Sequence, residues 1–304
     1  MHNNQKVPSD DYTGLIFIIK TDGSVWQLIE DPVDGQYSLE EVQGIANCVK
    51  VSSGYEHVMA LTADGYVYTW GKNTYGQLGS ADDRERETPE KVQGLAGIID
   101  ISSGNNHCMA LSMKGYVYTW GDNYVGQIGN GSFAETKEER KHSSVYQVEG
   151  LSDIIQISAG WDMSVALRKD GKVFQWGTKA MPLNFFCTPS PTEVEGLEGI
   201  EQISSYGLRS MALSSTGDIW IWGARFFGLD GGFDPPYKAG VFPNAVKIVA
   251  GKENIVITDD LEIWHGIIGK INEEDREMYY DAKFERMLSK EDINGYGLKL
   301  GTEG

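Results

Sequence analysis

The feature that most constrains this 304-residue chain is that it repeats itself. Residues 51–79 read VSSGYEHVMALTADGYVYTWGKNTYGQLG, and residues 101–129 read ISSGNNHCMALSMKGYVYTWGDNYVGQIG. The same frame returns as ISAGWDMSVALRKDGKVFQWG at 157–177 and as ISSYGLRSMALSSTGDIWIWG at 203–223. A weaker copy, IVAGKENIVITDDLEIWHG, covers 248–266, and a partial one, LIFIIKTDGSVWQL, covers 15–28. The position that closes each motif is Leu28, Trp70, Trp120, Trp176, Trp222 and Trp264, in steps of 42, 50, 56, 46 and 42. Repeats of this period belong to propellers and arrays, in which each unit buries its faces only against its neighbours.

Each unit translates into strands. Val-Lys-Val-Ser-Ser before Gly54 alternates apolar and polar residues, and Val58–Leu61 and Tyr66–Trp70 are β-branched and aromatic runs. Between them lies Asp64-Gly65, a strong hairpin signal because glycine supplies the positive φ of the turn. Asp22-Gly23, Lys114-Gly115, Asp170-Gly171 and Thr216-Gly217 repeat it. A fourth strand ends at Val92, where V-x-G-[LI] begins, a signature repeated at Val42, Val148 and Val194. Four antiparallel strands per unit, repeated around an axis, describe a blade. The expected fold is an all-β propeller of six recognisable units, with six or seven blades.

The pattern S-x-G-x-x-H-x-x-A-L-x-x-x-G-x-[VIL]-[YFW]-x-W-G-x-N-x-x-G-Q-[LI]-G resembles the repeat of the regulator of chromosome condensation family, and residues 54–79 and 104–129 match it almost throughout. The resemblance implies a ring, commonly of seven blades. It allows exchange of guanine nucleotide on a small GTPase, which in that family relies on a projecting hairpin that the repeat does not encode. It also allows inhibition of another protein, as in the bacterial β-lactamase-inhibiting members. An ultraviolet-sensing role is disfavoured, because Trp161 is the only tryptophan that directly follows an S-x-G turn.

The expected domain plan is an N-terminal segment or ring closure over 1–14, a propeller over 15–268 and a tail over 269–304. In the tail, Asn272 followed by acids at 273–275, and Tyr280, Phe284, Met287 and Leu288 at helical spacing, predict a partly helical segment. With 44 acidic and 26 basic residues the net charge is −18, which argues against nucleic acid and against an anionic membrane surface. Cys48, Cys108 and Cys187 are odd in number and far apart, so they read as reduced thiols. The polar start MHNNQKVPSDDY has no apolar signal core, and a cytoplasmic protein is expected.

The repeated residues read as structural: Gly54, Gly104 and Gly160 at tight turns, Trp70, Trp120, Trp176, Trp222 and Trp264 between blades, and His57 and His107 as hydrogen-bonded core groups. Two histidines do not make a zinc site, and Met163, Arg209 and Asn254 replace them in later units. No cofactor, metal or catalytic motif is expected. Function is expected where the units differ, just after the S-x-G turn: Tyr55, Glu56, Asn105, Asn106, Trp161, Asp162, Tyr206, Arg209, and Lys252-Glu253 in the last unit. Equivalent positions share one end of the ring, so these residues predict a protein-binding face with aromatic anchors, suited to a basic partner. The insertions 80–88, 130–143 and 179–191, with Phe133, Phe185 and Phe186, are expected to project from the ring.

Overall fold

A computed structural model of the chain describes residues 5–7, 16–31, 35–82, 84–136, 138–178, 187–224, 233–251, 254–267, 270–271, 278–279 and 283–288. Blade 1 is β1 (Gln5–Val7), β2 (Ile16–Ile19), β3 (Val25–Glu30) and β4 (Tyr37–Glu41). Blade 2 is β5 (Cys48–Ser53), β6 (His57–Thr62), β7 (Val67–Gly71) and β8 (Arg86–Lys91). Blade 3 is β9 (Ile98–Ser103), β10 (His107–Ser112), β11 (Val117–Asp122) and β12 (Lys141–Gln147). Blade 4 is β13 (Ile154–Ala159), β14 (Met163–Arg168), β15 (Val173–Thr178) and β16 (Cys187–Glu193). Blade 5 is β17 (Ile200–Tyr206), β18 (Arg209–Ser214), β19 (Asp218–Ala224) and β20 (Phe233–Val241). Blade 6 joins β21 (Ala245–Val249), β22 (Asn254–Thr258) and β23 (Ile263–Ile267) to β26 (Lys283–Leu288). A separate pair, β24 (Lys270–Ile271) and β25 (Met278–Tyr279), lies between the last two.

The molecule is thus a six-bladed propeller of four-stranded antiparallel sheets. The first strands of successive blades pack side by side about the axis, from β5 against β9 through to β17 against β21. Second strands are the best buried: every residue of β6 and of β10 is inside. The core is a series of inter-blade clusters rather than one centre. Trp120 packs with Met59, Leu61 and Ile101, Trp176 with Met109, Leu111 and Ile157, and Trp222 with Val165, Leu167 and Ile203.

Both chain ends contribute blade strands, and the tail departs from the expected helix. β1 pairs with β2 in blade 1, and β26 pairs with β23 as the fourth strand of blade 6, so blade residues occur on both sides of 15–268. Over 283–288 the expected helix is a strand. Asn272, residues 273–275 and Tyr280 lie outside the described residues. The reason is tertiary: the Phe284 ring packs edge-on to Phe242, centroids 5.3 Å apart, and over Gly266, where a Cβ would stand 2.9 Å from it. A strand register that packs the half-buried Phe284 on Phe242 outweighs the helical spacing of its neighbours.

Two sets of bonds join blade to blade. The first serine of each S-[SA]-G or S-S-Y motif accepts a backbone N–H from the next blade: Ser52 from Ser103, Ser102 from Ala159, Ser158 from Ser205 and Ser204 from Ala250, at 2.8–2.9 Å. Closer to the start of the inner strand, Lys50 pairs with Asp100, and the Gln156 and Gln202 amides bridge to the Ile203 and Ile248 backbone N–H groups. These links run from blade 2 to blade 6. Blade 6 carries Val249 at the serine position.

Candidate protein-binding face

The S-x-G turns of blades 2–5 meet at one end of the axis. Their backbones form a second ladder: Tyr55 N–H donates to the Asn105 carbonyl at 2.8 Å, Asn105 N–H to Trp161 at 2.8 Å, and Trp161 N–H to Gly207 at 2.7 Å. The depression they enclose, lined by Gly54, Tyr55, Gly104, Asn105, Gly160 and Trp161 among others, holds about 20 Å³, about the room of one water. The sealed turns therefore present a surface and not a small-molecule cavity.

Gly104 illustrates why glycine is required there. A Cβ would run into the His107 imidazole and stand 2.6 Å from the Gly160 carbonyl oxygen of the next blade. His107, fully buried, reaches with Nε2 to Ser164 Oγ of blade 4 at 3.0 Å, and Ser164 Oγ donates to the Gln127 carbonyl at 2.9 Å. His57 repeats the arrangement one blade earlier, with Nε2 3.1 Å from Cys108 Sγ, which donates to the Gln77 carbonyl. Burial lowers His57 to about 4, and burial with the nearby His57 ring lowers His107 to about 3, so both are neutral at physiological pH. Both histidines thus sit in the core, one against Cys108 and the other against Ser164. Among the described residues no group of three or more His, Cys, Asp or Glu is placed to hold a metal.

The expected face residues gather at this end but differ in exposure. Tyr55 and Glu56 are exposed, with Tyr55 at 44%. Asn105, Asn106, Trp161, Asp162, Tyr206 and Arg209 are half-buried. Trp161 leans edge-on to Tyr206 of blade 5, centroids 6.3 Å apart, so its ring partly covers the neighbouring blade. Arg209 opens β18 and pairs with Gly223. Lys252 and Glu253 lie outside the described residues, as do Phe185 and Phe186.

Charge on this face centres on an element the sequence did not reveal. Arg140, in the 130–143 insertion, folds back onto the fully buried Asp122, donating through Nε at 3.0 Å and through a second nitrogen. The guanidinium lies between Tyr75 and Tyr124, 4.4 Å and 4.7 Å from their ring centres. So this insertion is pinned at its C-terminal end, while Phe133 near its start is exposed. Asp162 lies beside the pair. Burial, with the Asp122 carboxylate second, pushes it up to about 6, against the pull of Arg140. The only sequence trace of this cluster was a single arginine among acids.

Side-chain locks hold the turns that follow the third strands of blades 2 and 3. Leu78 N–H donates to Asn73 Oδ1 at 3.0 Å and Ile128 N–H to Asn123 Oδ1 at 3.1 Å, while Gln77 and Gln127 accept from Tyr75 and Val125. These loops reach into the next blade, where the Gln77 carbonyl accepts the Trp120 indole N–H and the Gln127 carbonyl that of Trp176, both at 2.9 Å.

This architecture is a six-bladed propeller, and residues 48–167 of it match regulator of chromosome condensation (RCC1) repeats. The repeat model matches residues 64–111 and 114–167, and a second RCC1 repeat model matches 48–77 and 98–127. The ultraviolet-B receptor UVR8 of Arabidopsis thaliana is 31% identical over 129 residues, 42% of this chain and 28% of that protein. The E3 ubiquitin-protein ligase HERC2 of Homo sapiens is 36% identical over 69 residues, 23% of this chain and 1% of that protein. The matches thus span under a third of each relative's own length. Among solved structures, human WBSCR16 superposes with a TM-score of 0.70 at 19% identity, covering 93% of this chain and 82% of that one. Prp20p of Saccharomyces cerevisiae superposes with 0.65 at 20% identity, covering 81% and 66%. At these identities the likeness concerns the fold.

Proposed function

We propose that this chain is a non-catalytic interaction propeller that binds a protein through the end of the ring bearing Tyr55, Glu56, Trp161, Asp162 and Tyr206. The observation that carries the reading is the blade-to-blade backbone ladder, which holds these side chains in fixed positions around a closed centre. Aromatics on a rigid frame lose little entropy on contact and so suit anchoring. The chain's charge of −18 and the acids at this end favour a basic partner surface and faster encounter with it. Binding studies on Prp20p, a neighbour in fold, concern Gsp1p and histones, and the histones are partners of that basic character.

The test is affinity capture from native lysate with wild type, Trp161→Ala and Met113→Ala. Met113, 70% exposed, sits in the β10–β11 turn at the other end of the blade. Trp161→Ala should lose partner affinity by ~2 kcal/mol or more, and Met113→Ala should not. A partner lost with Met113→Ala and kept with Trp161→Ala would contradict the reading. A second reading, guanine-nucleotide exchange, takes its support from the same neighbour's binding to Gsp1p. Accelerated nucleotide release from a small GTPase on adding this protein would favour it.

A further inference from the structure

Blade 1 departs from the inter-blade pattern where its β3–β4 connection should cover blade 2. In blades 2 and 3 the Gly-Gln-[Leu/Ile]-Gly loop inserts toward the next blade, burying Leu78 and Ile128 and offering a carbonyl to that blade's tryptophan. Blade 1 contains Gly35-Gln36, but they close a tight hairpin in which Gly35 N–H donates to Asp31 and the Gln36 carbonyl accepts Asp31 N–H at 2.8 Å. Among the described residues nothing equivalent to that loop reaches Trp70. Among the described residues the Trp70 indole N–H has no acceptor, whereas Trp120, Trp176 and Trp222 each have one. Gln27, in the register of the Gln175 side chain that serves Trp222, lines the same space without bonding Trp70. The serine link also fails at this seam, because Val7, opposite Phe17, stands where Ser52 stands opposite Met59.

What remains is an open cleft of about 670 Å³ between blades 1 and 2. Its inner wall is made by the nearly buried Phe17, Val58 and Trp70, of which only an edge of Trp70, 7% exposed, is open. Phe17 and Trp70 are edge-on at 5.9 Å, and the rim is charged. Lys72 is held by Glu85 at 2.7 Å, and Arg86 by Asp82 at 2.8 Å and Glu90 at 2.7 Å. Among the described residues Glu56 and Glu87, also on the rim, form no ion pair. The rim charge left over is negative.

We propose that this cleft is the docking groove for an extended, basic segment of a partner protein that takes the place of the missing loop. Such a segment gives a backbone carbonyl to the Trp70 N–H, a leucine or isoleucine side chain to the open edge of Trp70, and a lysine or arginine to Glu56 and Glu87. The proposal rests on the interaction-propeller reading, shares Tyr55 and Glu56 with the face, and adds the partner's chemistry.

The probe is the peptide Lys-Asn-Thr-Tyr-Gly-Gln-Leu-Gly-Lys, this chain's residues 72–79 with one lysine added, titrated into the ¹⁵N-labelled full-length protein. The expected result is a saturable shift of the Trp70 indole resonance, assigned by its loss in Trp70→Phe, with the Trp161 resonance unmoved. Replacing the peptide leucine by aspartate should weaken binding about tenfold or more, since it carries a charge onto an apolar wall. Glu56→Gln with Glu87→Gln should weaken it about threefold or more, an effect that salt erases. Trp70→Phe should weaken binding by removing the indole N–H, and the smaller ring, packed on Phe17, should lower the melting temperature modestly while the protein still folds.

An unmoved Trp70 resonance at millimolar peptide overturns the proposal, as does indifference to the leucine. A shift at Trp161 alone also overturns the groove while leaving the face reading intact. Movement of the Trp70 resonance with protein concentration alone makes a second copy the occupant and contradicts the partner segment.

Discussion

At the scale of single residues, the two buried histidines set the acid behaviour of the ring. Their folded values, about 4 for His57 and about 3 for His107, lie below the ordinary 6.5, so their contribution is complete above pH 6.5 and is lost on acidification. Below that pH the unfolded chain takes up two protons that the folded chain refuses. Asp162, raised to about 6, works in the opposite sense, since the folded state takes its proton before the unfolded state does. Two against one leaves a net loss approaching ~1.4 kcal/mol per pH unit between about pH 6 and 5. Methionine fills the same site in blade 4, where Met163 is 1% exposed. His57→Met with His107→Met should therefore fold at neutral pH and reverse the sign of that slope in urea melts. A slope unchanged by the double substitution would place the acid sensitivity elsewhere.

At the scale of strands and blades, stability is set by what each blade gives the next. Ser102→Ala removes the acceptor of the buried Ala159 N–H, 2.9 Å away, and should cost ~1–2 kcal/mol by denaturant melt. Trp120→Ala removes a fully buried ring and its bond to Gln77 and should cost ~3–5 kcal/mol. A loss below about 1 kcal/mol for Trp120→Ala would mean the ring does not hold blades 2 and 3 together. Much of this was legible beforehand. Asp64-Gly65 marked a hairpin whose glycine has φ +80°, and the spacing of the tryptophans marked the blades. The outermost strands were not legible. Three residues, Gln5–Val7, are too short to carry a period, and Lys283–Leu288 has helical spacing that only its pairing with Ile263–Ile267 overrides. The inter-blade bonds of the strand serines before each glycine were not legible, because a bond to a neighbouring blade leaves no local pattern.

At the scale of the whole molecule, the ring gathers the variable side chains of successive blades at one end. Repeat arithmetic forecast that gathering. It did not forecast the Arg140–Asp122 pair held between two tyrosines, since that depends on contacts between a blade and an insertion. The central claim is that this end is where a protein partner docks. Its most direct measurement is photocrosslinking in native lysate, with a benzophenone amino acid replacing Tyr55 in one preparation and Met113 in the other. The account predicts one discrete partner adduct from position 55, weakened by added salt, and none from position 113. The same adduct from position 113, with none from position 55, would contradict it.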